Sequence, residues 1–125
     1  MTKKSVTLWD RKLNLDVTFD CYKGEEILPA QEQALDALSS AWSTVNDCLG
    51  DVKHYCLEEF SDAIGSDHID NVFKYVMPEA LYVPRKQVKR TVALMCSLRP
   101  DPEHGLAVVF KNEKLAQIGP QDIVL

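Results

Sequence analysis

No apolar run in the sequence approaches the ~18 residues that a membrane-spanning helix needs, so no helical membrane anchor is expected. Glycine is sparse: the five residues lie scattered at 24, 50, 65, 105 and 119, and no glycine-rich loop can cradle a phosphate. Neither a GxSxG elbow nor an HExxH helix occurs, which removes two common signatures of hydrolases and zinc peptidases. The four cysteines, Cys21, Cys48, Cys56 and Cys96, form no CxxC pair and show no zinc-ligand spacing with histidine. Each falls at or near an apolar-periodic position and reads as a small buried thiol in a reducing compartment. Met1-Thr2-Lys3-Lys4 leads into a strand-like segment without a signal-peptide core, so the expected compartment is the cytoplasm. An excess of positive charge is also missing. The net charge of −5 argues against direct nucleic-acid binding.

What is present is an ordinary globular composition, 46% hydrophobic and 26% charged. With 125 residues the chain reads as a single domain, 1–125, since domains usually run ~100–200 residues. Strands are expected over 5–22. Apolar and polar residues alternate strictly from Leu13 to Cys21, which puts Leu13, Leu15, Val17 and Phe19 on a buried face and Asn14, Asp16, Thr18 and Asp20 on a wet one. Val6 to Trp9 is a shorter strand, with Asp10-Arg11-Lys12 as the hairpin tip between them. Trp9, Trp42 and Tyr82 are candidate interface anchors; Trp42, on the apolar stripe, reads better as core, and Trp9, beside the hairpin tip, is the one with room to be exposed.

A helical segment is expected over 29–64. Pro29 suits a first turn, and Leu35, Leu38, Trp42, Val45, Leu49, Val52, Cys56, Phe60 and Ala63 recur at helical spacing as one apolar stripe. One straight helix of that span would be ~54 Å long, against ~36 Å for the diameter of a compact domain of this size. A break is therefore expected near Asn46 to Asp51, around Gly50, with Gly65 as a C-terminal cap. Strands return over about 80–125: Leu81 to Val83, then Thr91 to Leu98 as the central strand, Leu106 to Phe110 and Leu115 to Ile118, separated by Pro/Gly and polar turns. Strands, then helices, then strands predict an α+β fold: a mostly antiparallel sheet of five to six strands with an acidic helical segment packed on one face.

The charge is unevenly spread. Residues 24–71 carry eleven acidic side chains and one basic, Lys53, while both flanks are slightly basic. Glu32, Asp36, Asp47, Asp51, Glu58 and Asp62 fall opposite the apolar stripe, and several repel one another at i,i+4. Such a ridge attracts and steers basic partners, or mimics the phosphates of nucleic acid. Three other readings stand beside it: a solvated surface, a cation site, or an acidic face that meets the basic Arg85–Arg90 run of a second copy.

Catalytic signals are thin. Asp101, Glu103 and His104 form the one compact acid/histidine group in a loop, which is either a polar turn or the site of a small metal- or ligand-binding domain or enzyme. No catalytic, cofactor-binding or metal-ligating residue is assigned, no cofactor is expected, and an enzyme is not expected.

Thr91-Val92-Ala93-Leu94-Met95-Cys96, Asp101 to Phe110 and Ile118-Gly119-Pro120-Gln121-Asp122 together resemble a family of small bacterial domains that are similar to immunity proteins of polymorphic toxin and contact-dependent growth inhibition systems. The resemblance implies a cytoplasmic, non-enzymatic inhibitor that binds a toxin domain, often a basic nuclease. It carries over no individual functional residue. Together with the acidic ridge, it yields the expectation that Glu32, Asp36, Asp47, Asp51, Glu58 and Asp62 bind a basic toxin nuclease.

Overall fold

The computed structural model describes residues 2–125. Six strands form one sheet in the order of their occurrence: β1 (Thr2–Leu8), β2 (Arg11–Phe19), β3 (Val76–Val83), β4 (Thr91–Leu98), β5 (Leu106–Lys111) and β6 (Lys114–Gly119). Neighbours are antiparallel except β2 and β3, which run parallel. A parallel pair needs a crossover, and the helices supply it: α1 (Pro29–Ser40), α2 (Trp42–Asp47) and α3 (Leu49–Ile64). The fold is α+β with a mostly antiparallel sheet.

The two faces of the sheet differ. Toward the helices point Leu15, Leu81, Val83, Leu94, Leu98, Val108 and Phe110, and Ala34, Leu38, Val45, Val52 and Cys56 pack down onto them in one main core. The other face is polar across β1 and β2, where Lys3 pairs with Asp16 at 3.0 Å and Ser5 with Asn14 at 2.6 Å. Across β4 and β5 it is apolar: Ala93, Met95, Ala107 and Val109 form a second cluster under Ile123 and Val124 of the C-terminal segment. Burial on both faces is why Thr91 to Leu98 reads as a near-continuous apolar run.

The helical segment begins at Pro29 and ends at Gly65, whose φ of 70° makes it the left-handed cap. The break falls at Cys48, inside the expected Asn46–Asp51 window, and Gly50 itself lies in the first turn of α3. A second break, at Ala41, carries no sequence signal. Phe60 leaves helical geometry at φ −133°, which rotates the last turn, so Ile64 and not Ala63 reaches the core. The hairpin tip is Trp9-Asp10, one residue earlier than the alternation suggests; both have positive φ, 51° and 66°, the geometry of a tight two-residue turn. Trp9 is buried at 7% exposure rather than exposed. Asn46 holds the tip down. Its Oδ1 accepts the Trp9 backbone N–H at 2.8 Å, while the Trp42 indole N–H and the Asn46 side-chain N–H both donate to the Thr7 carbonyl. Trp42 is only partly buried, against the core edge. β3 is longer than Leu81–Val83 and contains Pro78, which the bulge between Pro78 and Ala80 accommodates.

Candidate functional site

The helices hold their carboxylates outward because their opposite faces are committed to the core. Glu32 and Asp36 lie on α1, Asp47 at the end of α2, and Asp51, Glu58 and Asp62 on α3; all six are exposed. None meets a lysine or arginine within ion-pair distance among the described residues. The one contact is His54 Nε2 to Glu58 Oε1 at 2.9 Å. Glu32 and Asp51 sit in first turns, where the helix dipole favours them, whereas Asp62 sits in the last turn of α3, which favours cations; Asp47 ends the short α2 and directly precedes the start of α3. The bend at Cys48 parts Asp47 from Asp51, so these two do not share one regular turn of helix.

The Asp101–His104 loop is tied up in its own turn. His104 Nδ1 lies 3.0 Å from Asp101 Oδ1, and the hydrogen bond to that carboxylate raises the histidine pKa above its ordinary value. The Gly105 N–H donates to Asp101 O and the Gln121 N–H to His104 O, while Glu103 is exposed. Among the described residues, no group of three or more histidine, cysteine, aspartate or glutamate side chains is placed to hold a metal ion.

Three thiols are buried as expected. Burial first, then nearby Asp51, pushes the Cys48 thiol up to about 12, and burial pushes Cys56 up to about 11 and Cys96 well above its ordinary value. Near neutral pH they stay protonated and are poor nucleophiles. Cys21 departs from the expectation. It is half-buried, with Arg85 Nη1 at 3.4 Å from its sulfur.

The Arg85–Arg90 run is not uniformly solvated. Arg85 pairs with Glu25 at 3.2 Å and donates to the Glu26 carbonyl, and Arg90 makes two bonds to Glu113 at 2.7 and 3.0 Å. Lys86 and Lys89 make no such pair among the described residues. Spending both arginines internally weakens the case for this run as a dock for a second copy's acidic helices.

Sequence reasoning missed three glutamines. Gln31 is fully buried; its Oε1 accepts the Leu28 N–H at 2.9 Å and its Nε2 donates to Asp20 O and Val83 O at 3.1 and 3.2 Å. It fastens the start of α1 to the ends of the parallel strands. A glutamine two residues after a helix-starting proline, able to reach back to the cap N–H, is the signal that could have found it. Gln87 closes the β3–β4 loop onto Pro84 and Thr91, and Gln121 donates to Cys96 O. Neither has a local sequence signature.

Among the described residues, no helix is long and apolar enough to cross a membrane. No curated protein and no solved structure matches the chain. One family model, described as Domain of unknown function (DUF6985), matches residues 1–125, and the chain belongs to that family.

Proposed function

We propose that this chain is a cytoplasmic immunity protein that neutralises a toxin domain, a nuclease, by docking its acidic helical face over the basic cleft of that toxin. The observation that carries the reading is the exposed set Glu32, Asp36, Asp47, Asp51, Glu58 and Asp62, without a lysine or arginine partner among the described residues. One of the six, Asp62, stands where the helix dipole disfavours it, and none of the six has a lysine or arginine to offset its charge among the described residues, so local stability does not explain the pattern. An uncompensated charged face speeds association with an oppositely charged partner.

The test is a tagged purification from the source cell at low and at high salt, beside a variant carrying Asp36→Lys and Asp51→Lys. A stoichiometric basic protein should come down at low salt, fall away as salt rises, and be lost in the variant. The captured partner, expressed alone, should arrest growth or degrade nucleic acid, and co-expression of this chain should relieve it. Equal capture by the variant at every salt concentration would remove the helices as the interface. A partner harmless to cells would sink the immunity role.

A further inference from the structure

We infer that the sheet face opposite the helices carries a binding groove for a small amphiphilic carboxylate, with its acid group on lysines and its apolar chain on a valine and isoleucine floor. The groove has a volume of about 430 Å³, within the usual size range of small-ligand sites. Its floor is Val109, Ile123 and Val124; its cations are Lys86, Lys89 and Lys111. Among the described residues, no acidic side chain lines it.

The framework of the groove is fixed by groups other than those that would bind. Val109 belongs to β5, and the 3-10 turn at Gln121–Ile123 lays Ile123 and Val124 over the sheet. The β3–β4 loop forms the wall. Arg85 and Arg90 anchor its two ends through Glu25 and Glu113, and Gln87 bonds across its base to Pro84 and Thr91. With both arginines consumed in holding the loop, Lys86 and Lys89 remain beside Lys111 with no carboxylate partner among the described residues. Val88, at 82% exposure, stands on the same rim, and a large apolar side chain left so open gains by covering with apolar matter. Unpaired ammonium groups around an apolar floor complement a ligand that is anionic at one end and apolar at the other. Lysine, a flexible point charge, suits a carboxylate that arrives without a fixed bidentate orientation.

The test is titration of the intact chain with octanoate, followed by amide NMR and calorimetry. Octanol serves as the uncharged control and inorganic phosphate as the control without a chain. Octanoate should bind saturably and shift the amides of Thr91, Val109, Gln117 and Val124. Octanol and phosphate should each bind at least about tenfold more weakly. A Lys86→Gln/Lys89→Gln/Lys111→Gln variant should lose at least about tenfold for octanoate with unchanged Tm, while Arg99→Gln keeps full affinity. Equal binding of octanol would reduce the site to an apolar crevice, and equal binding of phosphate to a loose cation patch; either overturns the proposal. Tighter binding of a short acidic peptide than of octanoate would assign the groove to a protein segment instead. No saturable binding would end it.

Discussion

At the scale of single residues, the strongest commitments are polar. Gln31, itself fully buried, satisfies three backbone groups at a point where helix and parallel strands converge, the bond to Val83 O being buried and the other two partly so. Gln31→Leu keeps the volume and strands those groups, so it should cost roughly 2–4 kcal/mol in chemical denaturation. A loss below about 0.5 kcal/mol would mean that water reaches the gap. Gly105 is similar in consequence but opposite in cause. Its φ is +63°, and a Cβ would stand 2.7 Å from Gln121 Nε2 and 2.9 Å from Cys96 O. Gly105→Ala should therefore destabilise by about 2–3 kcal/mol, with the Gln121 bond to Cys96 O broken. His104 supplies a pH-dependent contact. Because Asp101 raises its pKa, the ion pair supports the loop at low pH and that support fades as pH rises through the folded-state pKa. By NMR, His104 should titrate above the ordinary histidine value and return toward it in Asp101→Asn. The thiols give a simpler count: one of the four, Cys21, should react with a thiol reagent in the native protein, and the other three only on unfolding.

At the scale of elements, the helical segment trades stability for surface charge. Asp62 lies in the last turn of α3, one turn after Glu58. Asp62→Lys places a cation at the favourable helix end, so thermal stability should rise by about 0.3–1 kcal/mol. If the acidic face is the interface, the same substitution slows partner association. A variant that is more stable and binds more slowly separates the two roles of the residue. The β1–β2 hairpin shows the reverse economy. Trp9 and Asp10 occupy positive φ, which bulky residues resist, yet burial of the Trp9 ring and the Asn46 bond to the Trp9 backbone N–H offset the strain. Asn46→Ala should loosen the tip and raise Trp9 fluorescence quenching by acrylamide.

At the scale of the molecule, charge is divided by face: carboxylates outside the helices, unpaired lysines across the sheet from them. The self-repulsion of the acidic segment is screened by salt. Tm should rise between ~10 mM and ~300 mM salt, and the rise should flatten in the Asp36→Lys/Asp51→Lys variant. A Tm that falls with salt would show that the face is compensated within the chain. Much of this division was legible from the chain alone. The period of Leu35 to Cys56 placed the buried stripe and, opposite it, the exposed carboxylates, because a helix converts spacing directly into facing. The alternation from Leu13 to Phe19 and the apolar run at Thr91–Leu98 located a one-sided and a two-sided strand for the same reason. Local rules determined these elements, their order and the outward direction of the acidic side chains. Tertiary structure decided that β2 and β3 pair in parallel, that Trp9 is buried, that Arg85 and Arg90 are spent on Glu25 and Glu113, and that Lys86, Lys89 and Lys111 surround one groove. Those outcomes join residues distant in sequence, and such contacts depend on how the packed elements meet rather than on any spacing along the chain.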